Sequence, residues 1–497
     1  MKENTRDNDK VTAQHWMILV ALGLFTFMST LDSSIVNIAL PTLSRELGVA
    51  TSHATWTVAI YLITISGLLI LFGRLGDIYG KIRIFKIGTY IFTLGSLLAG
   101  INMTRFGLGL QFLLFARVVQ AIGGAMTMSN SFGITTETFP VRVRARAMSY
   151  IGIFVSLGSV TGPGVGGLIL QVLPWSYIFW INVPIGIFAI VMGQRLFPKT
   201  PKVPKESKMS KQIDYLGTLL FFLTIVCLFL GVELGQTMGF AHYTVISLIV
   251  ASVIFFILFL YQETRMHETP EQAPIIELTM FKNQLFSLSL IAAMCIFICN
   301  FFAAIIMPFY LQNYLGWSPG KAGMIMMVFP ITMLIISPIG GYLGDHFNKE
   351  LVTAIGIAIV VASQLGYTRF HAGSSIFTLC AFTALNALGS SLFQSSNNAI
   401  IMGSVEKKYL GIAGSINALA RNLGMISGIT IATTILFFSM SKLVGHRVNT
   451  YLHEQPEIFL TSMHVAFYVS LGIALMTLCL VLYRLITATV RQRRKSL

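Results

Sequence analysis

Long apolar runs alternate with short polar joints along the whole chain. A helix needs about 20 mostly apolar residues to cross a bilayer. Fourteen runs qualify: 15–39, 54–72, 84–102, 108–134, 147–171, 176–195, 214–235, 243–262, 285–311, 321–343, 351–368, 374–402, 412–440 and 462–486. Each predicts a spanning helix, so the pattern as a whole predicts an all-α polytopic membrane protein. The stretch Ser441–Thr461 reads as the longest joint on the outer side.

Composition sharpens this picture. Of the 497 residues, 55% are hydrophobic and 11% charged, against about 25% charged in a soluble domain. So much apolar surface needs lipid as its solvent. The net charge of +15 could point to nucleic acid, but the basic residues sit in the joints, where they orient a membrane protein. With the N-terminus inside, the inner joints and tails take 26 of the 34 Lys and Arg residues. The outer joints take six: Arg45, Arg105, Lys321, Arg369, Lys442 and Arg447. Arg117 and Arg421 remain inside helices. Both termini are therefore expected in the cytoplasm, and no nucleic-acid partner is expected. The five cysteines, Cys227, Cys295, Cys299, Cys380 and Cys479, all lie in apolar runs and form neither a disulfide framework nor a metal ligand set. The first run lacks a small-residue cleavage site and reads as a retained helix.

An internal repeat is visible. Gly73-Arg74-Leu75-Gly76-Asp77 ends the second run, and Gly341-Tyr342-Leu343-Gly344-Asp345 ends the tenth, 268 positions later. Leu40-Pro41 closes the first run and Met307-Pro308 the ninth, 267 positions later. Two similar halves of six helices are a known transporter design. The expected organisation is an N-terminal half at 1–198, a linker with two inserted helices at 199–284, and a C-terminal half at 285–497.

Three strings carry chemistry. In Gly73-Arg74-Leu75-Gly76-Asp77-Ile78-Tyr79-Gly80-Lys81-Ile82-Arg83, glycines permit a tight turn, and Asp77 can accept from a basic side chain or a helix N-terminus. Such a turn, with Asp345 in the second copy, suits a conformational latch. In Gly158-Ser159-Val160-Thr161-Gly162-Pro163-Gly164-Val165-Gly166-Gly167, Gly158, Gly162 and Gly166 share one helix face and allow close backbone approach; Pro163 favours a kink. Leu31-Asp32-Ser33-Ser34-Ile35-Val36-Asn37-Ile38-Ala39-Leu40-Pro41 places a carboxylate inside the first run. An intramembrane carboxylate is costly and marks function by default. It can hold a proton or a cationic substrate but not both. A structural Asp32 satisfied by Ser33 and Ser34 is the alternative. The position nine residues before Pro308 is Cys299, so the second half has no matching acid.

These strings resemble the signatures of the major facilitator superfamily. The first resembles its loop between helices two and three, with Ile78 where a basic residue is common. The second resembles the antiporter signature of its drug exporters. The third resembles the first-helix signature of the fourteen-helix drug:proton antiporters of the QacA/EmrB type. Trp56 and Tyr61, Trp180-Ile181-Asn182-Val183-Pro184-Ile185-Gly186, and Leu311-Gln312 with Gly316-Trp317-Ser318-Pro319 extend the likeness over almost the whole chain. Ser176 and Ala121 depart from it. Arg117-Val118-Val119-Gln120 resembles a fourth-helix signature that the family associates with proton transfer. The resemblance implies a major facilitator fold with two inserted helices and alternating access. It also implies proton-coupled export of hydrophobic, cationic compounds.

Asp32 and Arg117 each lie nine residues from the outer end of their run, or roughly 13 Å deep at about 1.5 Å per residue. A membrane Arg needs a partner, so a direct or water-mediated Asp32–Arg117 contact is expected. Glu233 is a further candidate coupling carboxylate. Asn37, Gln120, Gln394, Asn398 and Arg421 are candidate cavity-lining polar residues. No Walker pattern Gly-x4-Gly-Lys-Ser/Thr occurs, so no cofactor is expected and an ion gradient supplies the energy. The expected partners are small-molecule substrates and the bilayer, with a periplasmic adaptor if the cell has two membranes. Two rivals stay open: a dedicated exporter of one metabolite, lipid, siderophore or antibiotic, and a non-transporting sensor or scaffold. An enzyme is disfavoured because no Ser/His/Asp or metal constellation gathers in one region.

Overall fold

A computed structural model describes residues 12–197, 214–267, 278–406, 410–452 and 454–496. The polar stretch 199–212, expected as a linker, lies outside them. The described residues form helices and connecting turns with no strand among them. Fourteen helical stretches are long and apolar enough to span a membrane. Their helices are α1 (Ala13–Glu46), α2 (Trp56–Tyr79), α3 (Lys81–Ala99), α4 (Gly109–Thr138), α5 (Val141–Val172), α6 (Asn182–Leu196) and α7 (Tyr215–Met238). There follow α8 (Tyr243–His267), α9 (Gln284–Phe309), α10 (Val328–His346), α11 (Lys349–Tyr367), α12 (Ile376–Gly403), α13 (Leu410–Val444) and α14 (Pro456–Ser496).

Every expected run is present as a helix, but several ends move. Pro41 does not close α1, which runs through it to Glu46. Pro308 likewise lies inside α9, and a π turn at Tyr310–Tyr314 follows. A proline costs one backbone hydrogen bond without forbidding continuation when neighbours satisfy the freed groups. The expected long joint Ser441–Thr461 shortens, because α13 continues to Val444 and α14 begins at Pro456.

The chain divides into two compact units. The first falls within Met1–Val36, Ile60–Val226 and Val253–Ile275, and the second within Asn37–Ala59, Cys227–Ser252 and Ile276–Leu497. Inside each unit, glycines bring helices into backbone contact, as expected where lipid offers no hydrophobic drive for helix association. In the first unit, a Cβ on Gly123 would stand 2.3 Å from Phe92 N, so α3 and α4 touch main chain to main chain. In the second, a Cβ on Gly389 would stand 2.5 Å from Gly356 O, joining α11 to α12. The same recurs for α5 against α1, where Gly158 meets Phe27 O, and for α13 against α9, where Gly424 meets Met294 O, both at 2.5 Å. Gly424 stands 266 positions after Gly158, close to the offsets of the sequence repeat. The repeat is thus a repeat of helix crossings as well as of residues.

Candidate functional site

Asp32 is fully buried on α1, two turns before Pro41. Three side chains donate to it. Arg117 Nη1 lies 2.6 Å from Oδ2, while Gln120 Nε2 and Asn182 Nδ2 each lie 2.9 Å from Oδ1. Arg117 and Gln120 sit one turn apart on α4, so they share a face, and Arg117 also donates to Gln120 Oε1 at 2.5 Å. Gln120 reaches Ser96 of α3 at 2.8 Å. Asn182 is the first residue of α6. The Arg117 guanidinium stacks over the Tyr61 ring of α2, with Cζ 4.1 Å from the ring centre. Tyr61 in turn shares a hydrogen bond with Ser29 of α1.

Physics explains why so many groups converge. Removing two charges from water costs several kcal/mol per ion even after relaxation. Attraction repays that only with good geometry and further hydrogen bonds to the remaining lone pairs. Both Asp32 oxygens are engaged, and one face of the guanidinium is covered by a π-system. The expected Asp32–Arg117 contact is direct. The neighbouring hydroxyls do not serve Asp32: Ser33 donates to Ser29 O, and Ser34 to Leu31 O and Gly158 O. Gln120, expected as a cavity residue, is part of the ion-pair cluster. Asn182 was legible only as part of a motif, since nothing in its spacing tied it to Asp32.

The glycine-rich helix α5 packs on this same turn of α1. A Cβ on Gly162 would stand 1.8 Å from Ser34 Oγ and 3.1 Å from Ile35 N. Gly166 and Gly167 are buried further along, and Pro163 lies within an unbroken helix. The glycine string therefore sets the seat of the helix that carries Asp32.

The loop string forms a separate cluster. Gly80 has φ +95°, a conformation glycine adopts without steric cost, and it separates α2 from α3. Lys81 bonds Asp77 at 2.8 Å and Glu137 of α4 at 2.6 Å. Gly76 packs on Asn130, Gly73 has room beside Ser129, and Arg83 is exposed. The side chain of Asp345 lies outside the description.

In the second unit, Glu233 is buried near the end of α7 and Asn37 is buried on α1. Gln394 and Arg421 are half-buried, and Asn398 accepts from Asn417 at 2.9 Å. Two networks there escaped the sequence reading. Arg484, counted among the basic joints and tails, is buried inside α14. It donates to Glu350 of α11, Ser289 of α9 and Asn397 of α12. Its place inside the fourteenth run was the available signal. A neutral network occupies the core: Asn300 accepts from Asn386 and Ser390, Asn386 from Ser363 and Gln364, and Ser470 donates to Gln364. Cys299, the repeat position of Asp32, lies beside it with Sγ 3.5 Å from Ser470 O. Polar residues at four spans were its only signal.

Fourteen apolar helices, repeated glycine crossings and the buried Asp32–Arg117 and Glu350–Arg484 pairs mark a polytopic membrane protein. The Major Facilitator Superfamily model matches residues 22–302 and 289–496, and the chain belongs to that superfamily. Among curated relatives, the riboflavin transporter RibZ of Clostridioides difficile is 32% identical over 86% of this chain and 89% of its own. Multidrug resistance protein 3 of Bacillus subtilis is 29% identical over 84% and 79%. The multidrug transporter protein MdtP of the same organism is 27% identical over 88% and 79%. A solved bacterial homologue of the human lysosomal transporter Spinster superposes with TM-score 0.65 at 11% identity, over 95% of this chain and 97% of that one. The D-xylose–proton symporter gives 0.58 at 14%, over 92% and 97%, so both share the fold. The fourteen helices and the multidrug-named relatives fit the fourteen-helix drug:proton antiporter type.

Proposed function

We propose that this chain exports hydrophobic cationic compounds in exchange for protons, with Asp32 as the exchanging group. The observation that carries the reading is a fully buried carboxylate on α1 bonded to a fully buried arginine and to Gln120 of α4 and Asn182 of α6. Protonation of Asp32 removes one charge of the pair and leaves Arg117 on Tyr61 and Gln120. The pair is therefore a two-state element that a proton biases. A cationic substrate competes for the same carboxylate, which makes the movements opposite. The glycine seat of α5 allows α1 to shift, and the Asp77–Lys81–Glu137 cluster latches the inner side. Both termini are cytoplasmic, the two six-helix halves rock about a midplane site, and the proton gradient is the energy source. A periplasmic adaptor joins if the cell has two membranes. No catalytic residue is assigned, and the reading is a transporter and not an enzyme.

A second reading is favoured by the 32% identity to a riboflavin transporter: a dedicated carrier of one planar heteroaromatic metabolite. The test is transport of ethidium and riboflavin in inverted vesicles, with dissipation of the pH gradient recorded in parallel, for wild type and Asp32→Asn. Drug movement that consumes the gradient in wild type and is lost in a folded D32N protein supports antiport. Riboflavin movement with indifference to ethidium moves the dedicated carrier ahead.

A further inference from the structure

A carboxylate that takes up a proton turns from acceptor to donor at one oxygen, so the new O–H needs an acceptor that the charged form did not. Of the three side chains bonded to Asp32, two cannot supply it. Arg117 carries only donors. Gln120 is fixed at both ends of its amide: Nε2 donates to Asp32 and to Ser96 Oγ, while Oε1 accepts from Arg117 Nη1. Turning that amide would break all three bonds. Asn182 differs. Its Nδ2 donates to Asp32 Oδ1 at 2.9 Å, its side chain is fully buried, and its own Oδ1 has no partner. A buried acceptor without a partner is costly, and each one in a folded protein asks for a reason. The backbone around Asn182 is held. Gly186, one turn on, packs on α3, where a Cβ would stand 2.2 Å from Thr93 Oγ1, and Trp180 Nε1, just before, donates to Leu97 O at 3.1 Å. The amide itself is free to turn, because the terminal torsion of asparagine is broad and roughly two-fold. The turn exchanges one bond and breaks no other.

We propose that Asn182 is the acceptor for the Asp32 proton: its amide donates through Nδ2 to the carboxylate and, turned by half a revolution, accepts through Oδ1 from the carboxylic acid. This rests on the reading above that Asp32 takes up a proton. The proton comes from water and goes to Asp32 Oδ1, the oxygen between the two amides, because Oδ2 faces the Arg117 guanidinium. No other covalent bond changes, and the proton returns to water as the amide turns back. The charged and titratable groups that face Asp32 are Arg117 of α4 and Tyr61 of α2. Among the described residues, the other helices present neutral groups to this turn: Ser96 of α3 through Gln120, Gly158 and Gly162 of α5, and Asn182 of α6. The consequence is directional. Asn182 ties α6 to α1 in both protonation states, whereas Arg117 loses its ionic partner in one of them. A proton therefore loosens α4 from α1 and leaves α6 in place. Asn182 acts through Asp32 and is a positioning residue.

The test is infrared difference spectroscopy of the purified protein in lipid, stepped between alkaline and acid pH. The carboxyl band of Asp32 is assigned by its absence in Asp32→Asn. Asn182→Leu keeps the size of the side chain and removes both of its bonds. The C=O band of protonated Asp32 is expected at higher frequency in this variant, because the O–H has lost its acceptor. Asn182→Gln is expected to bring the band back toward wild type. A band at one frequency in wild type and Asn182→Leu overturns the proposal and leaves Asp32 as the proton carrier. A second measurement needs no change at position 182. With asparagine labelled by carbon-13 at its side-chain carbonyl, the same pH step is expected to move one labelled band to lower frequency, as Asn182 Oδ1 gains a bond. That shift is expected to vanish in Asp32→Asn. No labelled change overturns the amide turn, even where Asn182→Leu fails to fold. Absence of any Asp32 carboxyl band across the pH range overturns both the proposal and the antiport reading. Both band shifts in a protein whose transport does not consume the pH gradient remove antiport and keep the amide exchange.

Discussion

The seat of α1 on α5 gives a sharp steric prediction. A methyl at position 162 would lie 1.8 Å from Ser34 Oγ, 2.8 Å from Ser34 Cβ and 3.1 Å from Ile35 N. The first two belong to one side chain and the third to backbone that needs to yield only a few tenths of an ångström. Gly162→Ala therefore collides mainly with Ser34. At position 158 the methyl would meet Phe27 O at 2.5 Å and Leu31 N at 3.0 Å, which are main-chain atoms that no side-chain change removes. Overpacking of this kind costs about 1–3 kcal/mol. If it acts in only one conformation, it shifts the populations about five- to hundred-fold. The assay pairs thermal unfolding in detergent with dye efflux from vesicles. Gly162→Ala is expected to lower both, and Ser34→Gly added to it is expected to restore most of the loss. Gly158→Ala is expected to be impaired with no rescue by Ser34→Gly. A Gly162→Ala protein equal to wild type in both assays, or a double variant no better than the single, refutes the argument that this face sets the position of α1.

Two further outcomes follow from the buried ion pairs. Arg117→Gln leaves Asp32 charged and unpaired, which costs about 3–5 kcal/mol in buried pairs, so the detergent melting temperature falls. Asp32→Asn added to Arg117→Gln is expected to recover stability without recovering transport, and a double variant that melts below the single counts against the pairing. Arg484→Met strands Glu350 in the same way. The Glu350→Gln/Arg484→Met pair is expected to melt above Arg484→Met alone, with the pH dependence of transport unchanged in both. A shifted pH profile would move this network from packing into coupling.

The sequence alone determined the class. Fourteen apolar runs leave the chain no solvent but lipid, and lipid leaves each run no structure but a helix. The repeat was legible in the paired Gly-x-Leu-Gly-Asp strings and the paired prolines, whereas the matching crossings at Gly158 and Gly424 emerged only from the packing. Asp32 and Arg117 stood out because a charge inside an apolar run is costly and needs a partner. Tertiary structure decided what periodicity cannot carry. Gln120 and Asn182 are uncharged and could have faced lipid, water or a cavity; only the packing of α4 and α6 against α1 brings them within 2.9 Å of Asp32. Arg484 reads as one more basic residue near a tail until α9, α11 and α12 close around it. Pro41 and Pro308 read as stops because a proline lacks one donor, whereas the packed helices continue through both. The contact of Gln312 with Ile38 spans more than half the chain, and no local rule of sequence reaches that far.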